Sequence, residues 1–312
     1  AKVQAKAGKK KYTCKVIVKA AKKKPMTKPT EAPAKPTQKP AESTQKPVKP
    51  TQKPVKPTQT PEEPTQTPTP DDDEDTDQKN ADDVAALEKL IAQQRALGAT
   101  VSEDVNDSDE YTWEDGRLVA IYWNSAGLKG EISFEGLSVL KKLWCCDNQL
   151  SSLDVSNNPS LWRLECYENQ LSSLDVSNNP SLCELLCYNN QLSSLDVSNN
   201  PALGWLECYE NQLSSLDVSN NPSLQDLYCD NNQLSSLDVS NNPSLERLYC
   251  DENQLSSLDV SNNPSLERLY CGENQLSSLD VSNNPSLQDL YCDNNQLSSL
   301  DVSNNPALEW LW

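Results

Sequence analysis

The sequence lacks histidine altogether, and it has only one Phe, one Met and eight Gly among its 312 residues. Without His, a serine or cysteine nucleophile has no general base of the usual kind. No glycine fingerprint for a phosphate or a dinucleotide is present either. The sequence therefore predicts a protein that is not an enzyme and that has no cofactor and no metal site.

Long apolar runs are also missing. No stretch of about 18 apolar residues occurs, so the sequence predicts no transmembrane helix. The chain starts at Ala1 rather than Met and stops at Trp312 in the middle of a repeat. We therefore expect a fragment of a longer protein, whose leader or anchor lies outside it.

Positive charge is scarce beyond the first 70 residues. Residues 1–70 hold 17 Lys and 4 Glu, whereas the whole chain has a net charge of −19, so the remainder carries −32. Nucleic-acid phosphates require a basic face. The remainder is therefore predicted not to bind nucleic acid.

What the sequence has in abundance is a repeat. From residue 140 to residue 312, eight copies of one 21-residue unit follow each other, most plainly in LQDLYCDNNQLSSLDVSNNPS at residues 224–244. A fixed period of this length indicates a solenoid. The unit has the pattern L-x-x-L-x-C-x-x-N-x-L, and its second half restates the first, as residues 161–169 and 171–179 illustrate.

This nested pattern resembles the bacterial leucine-rich repeats of the 21-residue IRREKO-like class. The resemblance implies a β-rich solenoid, an arc of parallel β coils, with a binding or scaffolding role and no particular ligand. Residues 80–139, a predicted helix followed by a hairpin, are similar to the entry region of secreted Gram-positive leucine-rich-repeat proteins. This second resemblance implies a cell-surface or secreted protein.

The chain before the repeats divides into three parts. Residues 1–24 alternate apolar and polar side chains as a β-strand does, and they resemble the last strand of a bacterial group 2 immunoglobulin-like domain. Residues 25–79 are a Pro, Thr, Lys and Gln tract followed by an acidic run. Because this tract has almost no apolar side chains, we expect a disordered linker. Alternatives to a plain spacer are contact of its Lys residues with anionic wall polymers and a Pro-rich ligand for a partner domain.

Residues 80–139 are predicted to form an N-terminal cap. Asn80 followed by Asp83 is typical of a helix start, and Gly98 of a helix end, so we expect a helix over about 81–97. A hairpin turning at residues 114–116 and degenerate coils follow. A solenoid exposes its first apolar layer unless a cap covers it.

Two columns are predicted to hold the coils together. Cysteine at the inward position of each coil is interpreted as a buried thiol, because parallel neighbours offer poor geometry for disulfides or a metal. The asparagines are expected to turn the chain and bond backbone groups of adjacent coils. The cysteines are Cys145, Cys166, Cys187, Cys208, Cys229, Cys250, Cys271 and Cys292, and the asparagines are Asn148, Asn169, Asn190, Asn211, Asn232, Asn253, Asn274 and Asn295. Cys146 and Cys183 lie off the column and are expected to be more reactive.

The outward residues of the first half-repeat vary from coil to coil, whereas those of the second half are Ser-Asp-Ser throughout. A ligand that is not periodic needs a varying surface, so the first half is the predicted binding face. Its candidate contact residues are Arg163, Tyr167, Tyr188, Trp205, Tyr209, Tyr228, Arg247, Tyr249, Arg268, Tyr270 and Tyr291. The same tyrosines could instead serve only to stack on one another.

The aspartates of the second half, such as Asp175 and Asp196, recur in every coil. Like charges about 4.8 Å apart repel, and calcium would relieve that repulsion. A flat Ser-Asp-Ser face supplies few of the six to eight oxygens that calcium needs. Solvated aspartates bonded to neighbouring serines are therefore preferred over a calcium site.

Three functions remain open at this point. The first is a noncatalytic cell-surface or secreted module that binds a protein partner through the variable face. The second is a carbohydrate-binding surface, in which the tyrosine rings stack on sugars. The third is a structural spacer without a specific ligand.

Overall fold

The computed structural model describes residues 78–312, so the predictions for residues 1–77 lie outside the described part. Its first element is helix α1, Ala81–Ala96, within the predicted range. The Asn80 side chain accepts hydrogen bonds from the backbone N–H groups of Asp82 and Asp83, at 3.1 and 3.0 Å. This cap satisfies two of the amides that a helix start leaves without partners.

Asp83, in the first turn of this helix, also joins the helix to the next element. Its fully buried carboxylate accepts Nε and Nη2 of Arg117 at 2.8 and 2.9 Å and the backbone N–H of Leu118 at 3.0 Å. The N–H of Asn80 instead donates to the carbonyl of Gly116 at 2.7 Å. A charge buried this deeply needs a partner, and the bidentate arginine ties the helix to the neighbouring hairpin.

The hairpin consists of β1, Tyr111–Glu114, and β2, Arg117–Tyr122, paired antiparallel. Asp115 and Gly116 between them have φ of 50° and 72°. Two positive φ angles are what a tight two-residue hairpin turn requires. At Gly116 a side chain is also excluded, because a Cβ would lie 2.5 Å from the carbonyl oxygen of Gln78.

The main sheet has 11 strands, and after the hairpin all its pairings are parallel. Each coil adds one short strand, and equivalent residues pair 21 positions apart, as Leu248 and Leu269 do. The strands that follow β2 in this sheet are β4 (Lys142–Trp144), β6 (Arg163–Glu165), β7 (Glu184–Leu186), β8 (Trp205–Glu207), β9 (Asp226–Tyr228), β10 (Arg247–Tyr249), β11 (Arg268–Tyr270), β12 (Asp289–Tyr291) and β13 (Trp310–Leu311).

A second, two-stranded sheet pairs β3, Lys129–Ser133, in parallel with β5, Gln149–Asp154. Helix α1 lies against it, and the buried Gln94 side chain bonds both backbone groups of Lys129, at 3.0 and 3.3 Å. This amide therefore pairs polar backbone groups at the start of β3 that burial would otherwise leave unsatisfied.

The core runs the length of the solenoid. In each coil the leucines that recur every 21 residues, the inward cysteine and the valine point inward. In the second coil Leu164, Cys166, Leu171 and Val176 have no exposed surface. The period of two along each short strand thus separates an apolar interior from a polar exterior. The predicted β-rich solenoid of parallel coils with an α+β region at its N-terminal end is confirmed.

Candidate functional site

The outward side chains of the main sheet form three columns, which together we call the variable face. The first column is Lys142, Arg163, Glu184, Trp205, Asp226, Arg247, Arg268 and Asp289; the second is Trp144, Glu165, Leu186, Glu207, Tyr228, Tyr249, Tyr270 and Tyr291; the third is Cys146, Tyr167, Tyr188, Tyr209, Asp230, Asp251, Gly272 and Asp293. We number the coils 1 to 8 in this order. Register pairing of the strands places equivalent residues side by side.

Tyrosine rings stack along two of these columns. In the third column Tyr188 lies 4.3 Å from both Tyr167 and Tyr209 between ring centroids, with interplanar angles of 8° and 9°. Each neighbour therefore covers one face of the Tyr188 ring. These side chains are half-buried, so part of each ring edge remains exposed.

In coils 5 to 8 the tyrosines occupy the second column instead. Tyr228 and Tyr249 are stacked at 4.5 Å, and Tyr249 and Tyr270 lie 4.2 Å apart with their rings tilted by 48°. Tyr291 continues the series to Trp312, at 5.9 Å. Aromatic residues thus change columns between coils 4 and 5, and in coils 5, 6 and 8 a carboxylate occupies the third column instead.

Trp205 lies at this change of columns. Its side chain is 39% exposed, and its Nε1 donates to Glu207 Oε1 at 2.8 Å. Trp205 is the most accessible apolar side chain in the middle of the face. Tryptophan is also enriched among the residues that contribute most to protein–protein binding.

The three candidate arginines are held by ion pairs within the face. Arg163 bonds Glu165 at 2.7 Å and Glu184 at 2.5 Å. The other two pairs are Arg247 with Asp226, at 2.7 Å, and Arg268 with Asp289, at 3.2 Å. The guanidinium groups therefore neutralise carboxylates of the same or the next coil. A ligand that binds these arginines would have to compete with those carboxylates.

The N-terminal end of the face has a different chemistry. Tyr122 of the hairpin stacks on Trp144 at 4.6 Å. The Lys142 ammonium lies 5.8 Å from the Trp144 ring centroid and 5.1 Å from that of Trp162. Such cation–π contacts stabilise the amine against the sheet.

Cys146 was expected to be reactive, and its environment contradicts this. The side chain is only 2% exposed, and burial raises the pKa of its thiol to about 11. A hydrogen bond with Cys146 likewise raises the pKa of the Tyr167 hydroxyl. Thiolate is the reactive form of cysteine, and a raised pKa keeps Cys146 protonated. Cys146 is therefore an unreactive thiol that lies next to Tyr167 at the end of the tyrosine column. Burial also raises the pKa of the half-exposed Cys183.

Three carboxyl groups of the variable face have raised pKa values, which favours their neutral form. Burial, opposed by a hydrogen bond from the Gly272 amide, raises the pKa of Asp251 to about 7. Burial also raises the pKa of Glu207 and of Asp230. These three groups carry charge in positions that water reaches only in part, so an added cation would stabilise them.

The inward cysteines form one buried column, and within residues 78–312 the cysteines are thiols rather than disulfides. The eight inward ones are buried, and burial raises the pKa of Cys166 well above its usual value. Burial raises the pKa of Cys187 to about 12. Thiols in this environment behave as small apolar side chains.

The first asparagine column bonds neighbouring coils, as the Asn211 side chain illustrates. Its amide nitrogen donates to the carbonyls of Cys187, Cys208 and Tyr209 at 3.1 to 3.2 Å, and its oxygen accepts from the N–H of Leu192 at 2.9 Å. Asn148, Asn169, Asn190, Asn232, Asn253, Asn274 and Asn295 make equivalent bonds.

Sequence reasoning missed a second asparagine column. The fully buried Asn221 donates to the carbonyls of Val197 and Asn200, at 3.0 and 2.9 Å. Its equivalents, such as Asn179 and Asn263, do the same. The signal was present, because this asparagine recurs every 21 residues in the restated half of the pattern.

The second-half aspartates are exposed and locally bonded. Asp175 accepts the backbone N–H of Ser177 at 2.9 Å, and hydrogen bonds from Ser177 lower the pKa of its carboxyl. The same arrangement recurs at Asp196 and Asp259. Within residues 78–312, no group of three or more His, Cys, Asp or Glu is placed to hold a metal ion. The same residues include no helix long and apolar enough to cross a membrane.

Comparison with known proteins agrees with this geometry. The family described as Leucine Rich repeats (2 copies) matches residues 264–306. The chain has a leucine-rich-repeat fold. Among curated protein sequences, none matches the chain.

Several solved leucine-rich-repeat structures are similar. The functional domain of InlJ from Listeria monocytogenes, which includes a cysteine ladder, is 34% identical over 61% of this chain and 47% of that one, with a TM-score of 0.52. A leucine-rich-repeat protein of Leptospira interrogans is 28% identical over 62% and 54%, with a TM-score of 0.58. The effector YopM of Yersinia pestis is 25% identical over 68% and 60%, with a TM-score of 0.53. The chain spans about half the length of the first two.

Proposed function

We propose that this solenoid is a noncatalytic protein-interaction module of a cell-surface or secreted bacterial protein, and that the variable face contacts the partner. The observation that carries the proposal is the contrast between the two halves of each coil. The Ser-Asp-Ser side repeats without change, whereas the variable face brings Tyr, Trp, Arg and carboxylates together in coil-specific combinations.

The finer assignment rests on the sequence. The nested 21-residue unit supports the IRREKO-like class, and residues 1–24 support a preceding immunoglobulin-like domain of a Gram-positive surface protein. The similarity to the InlJ domain, with its own cysteine ladder, supports a bacterial origin.

The ring stacking favours a protein ligand over a carbohydrate. Sugars bind on the open faces of aromatic rings, but the rings of Tyr188 and Tyr249 each have neighbours on both sides at 4.2 to 4.5 Å. Ring edges and hydroxyl groups suit the mixed apolar and polar contacts of protein interfaces.

The structural spacer remains the second candidate because of one observation. Residues 245–265 and 266–286 differ at a single position, Asp251 against Gly272. Such similar copies are expected if the chain was lengthened by duplication of whole coils. The outward residues of a single coil would then be little adapted to a ligand.

The test is binding of the full chain to an array of bacterial and host surface proteins, measured by interferometry. A variant with Tyr228, Tyr249, Tyr270 and Tyr291 changed to Ser should lose a partner that the parent binds. The control changes Asp238, Asp259, Asp280 and Asp301 of the constant side to Ser in the same coils, and it should keep that partner.

Circular dichroism must first show that both variants remain folded. An identified partner that is lost only with the tyrosines supports the proposal. Absence of any partner, or equal loss in both variants, would instead favour the spacer.

A further inference from the structure

The part of the variable face in coils 5 to 8 has an excess of negative charge that its own cations do not reach. Residues 224–312 contain two basic side chains, Arg247 and Arg268. Both are engaged in the first column, with Asp226 and Asp289. The first column is therefore neutralised from within.

The third column of the same coils carries carboxylates without such partners. Asp230, Asp251 and Asp293 follow each other there, interrupted by Gly272. The Asp251 carboxylate accepts the Gly272 amide at 2.6 Å. The Asp230 and Asp293 carboxylates accept the side-chain amides of Asn231 and Asn294, their neighbours in the chain. These amide donors are neutral, so the charge of the column stays uncompensated.

The carboxylates of Asp251 and Asp293 close over Gly272, which is itself buried, and we call this place the notch. A Cβ built at Gly272 would lie 3.0 Å from Asp293 Oδ1 and 3.1 Å from Asp251 Oδ1. The oxygens of both neighbours therefore occupy the space that a side chain at this position would need. The Gly272 backbone itself is of the ordinary kind, since its φ is not positive, so the glycine is required for room rather than for conformation.

The second column supplies an apolar floor beside this notch. Tyr249, Tyr270 and Tyr291 lie two residues before the third-column positions on the same outward side of their strands, and their half-buried rings are 4.2 Å apart. A row of aromatic rings next to a row of carboxylates suits a side chain with an apolar stem and a cationic head, which describes Lys and Arg.

We propose that coils 5 to 8 dock a basic segment of a protein partner along the solenoid axis, with Lys or Arg heads between the third-column carboxylates and their stems on the tyrosines. This rests on the proposed function, because it assigns the chemistry of the partner to the same face. Asp230 and Asp293 are three coils apart, which is on the order of 14 Å. An extended partner spans that distance with about four to five residues.

The test uses a labelled peptide of alternating Gly and Arg, together with the same peptide in which citrulline replaces each Arg. Citrulline keeps the shape of Arg without its charge. Fluorescence anisotropy with the full chain should show binding of the Arg peptide and binding of the citrulline peptide at least about tenfold weaker. Equal binding of the two peptides would overturn the proposal.

Matched variants separate the site from the general negative charge of the molecule. Asp251→Asn with Asp293→Asn removes two charges from the notch, and Asp259→Asn with Asp280→Asn removes two charges from the constant side. The first pair should weaken binding of the Arg peptide by about tenfold and the second by less than about threefold. Equal effects would mean attraction to net charge alone, which is incompatible with a docking site.

Gly272→Gln provides an independent variant without any change of charge. Its side chain would displace the two carboxylate oxygens that lie over Gly272, so it should weaken binding of the Arg peptide by about fivefold or more while the coil stays folded, as judged by circular dichroism. Unchanged affinity would show that the notch is not used.

The outcome is distinguishable from failure of the proposed function. If the protein array yields a partner that depends on the tyrosines but the Arg peptide does not bind, the docking of a basic segment is wrong and the interaction module stands. If the peptide binds at the notch and the array yields nothing, the inference stands and the proposed function loses its support.

Discussion

The pKa values of two aspartates in coil 6 are shifted in opposite directions. Burial raises the pKa of Asp251 to about 7, whereas hydrogen bonds from Ser261 lower the pKa of the exposed Asp259. In the folded state Asp251 therefore holds its proton more tightly than in the unfolded chain, and above pH of about 7 its charge destabilises the fold.

We predict that Asp251→Asn raises the free energy of unfolding at pH near 8, by on the order of 1 kcal/mol after solvent screening is taken into account. The gain should shrink as the pH falls through about 7 and vanish near 4, where both states are protonated. Urea unfolding of the variant and the parent across this range measures the difference.

Asp259→Asn is the control for charge removal in the same coil. A lowered folded pKa stabilises the native state above the unfolded pKa, and that contribution is lost as the pH falls through the folded pKa. The variant should therefore be less stable than the parent at pH near 8. A gain of the same size in both variants would contradict the assignment.

A second residue-scale feature is the column of left-handed residues that precede the asparagines. Glu252 has φ of 49°, and its equivalents include Glu210 and Glu273, whereas Asn189 and Asn231 fill the same position elsewhere. Asparagine tolerates positive φ better than glutamate does.

Glu252→Asn should accordingly raise the free energy of unfolding by about 0.5 to 1 kcal/mol. Glu246→Asn in the same coil removes the same charge at a residue whose φ is not positive, and it should give no such gain. Denaturant titration of both variants tests this, and equal stabilisation would point to relief of charge repulsion instead.

Residue patterns predicted which side chains face outward, but not how they pair. The tyrosines, the arginines and the changing columns follow from the 21-residue alignment. The burial of Cys146 beside Tyr167 does not, because it depends on how the first tyrosine of the column is oriented. The ion pairs of the arginines also depend on side-chain reach between coils.

At the scale of elements, the two asparagine columns are unequal. Asn211 makes four hydrogen bonds to backbone groups, whereas Asn221 donates two. Removing either side chain leaves buried backbone groups unpaired, at about 1 to 3 kcal/mol for each group.

With the lower end of this range for each group, we predict that Asn211→Ala lowers the free energy of unfolding by about 4 kcal/mol and Asn221→Ala by about 2 kcal/mol. Equilibrium unfolding in urea, followed by circular dichroism, gives both values. The order of the two losses is the decisive result, and a larger loss at Asn221 would mean that the second column bears more of the fold.

The helix and the hairpin were predictable from local sequence, but the contact between them was not. Asn80, Gly98 and the turn at Asp115–Gly116 gave the elements at their observed places, because caps and turns are local. The contact of Asp83 with Arg117 joins residues 34 positions apart. Asp83 lies in the first turn of the helix as the sequence pattern indicates, but no local pattern contains its contact with Arg117.

At the scale of the whole molecule, each coil contacts its neighbours through the same pairings. The register of 21 residues means that coil 6 can be removed and coil 7 will meet coil 5 in the same way. Stability of such arrays is approximately a sum over coils and their interfaces.

Deletion of residues 245–265 should therefore give a folded protein with the same circular dichroism per residue. Its urea m-value should fall roughly in proportion to the residues removed, since m follows the surface exposed on unfolding. Deletion of residues 245–260 removes part of the same coil and breaks the register. A stable fold in that second variant would contradict the nearest-neighbour description.

Whole-molecule architecture was largely predictable, because every coil repeats the same inward leucines and one good alignment fixes the solenoid. The candidate face was predictable only as a list of outward residues. The ion pairs among these residues depend on distances between coils, which no single repeat encodes. The same holds for the contacts of the carboxylates with Gly272.

The stacking of 21-residue coils also determines how the molecule would respond to force. One coil advances the sheet by about 4.8 Å, but its chain, when pulled straight, is on the order of 70 Å long. Tension that peels off the last coil releases this length and leaves an equivalent coil at the new edge. The solenoid would then lengthen in equal steps at nearly constant load, as an extensible tether does.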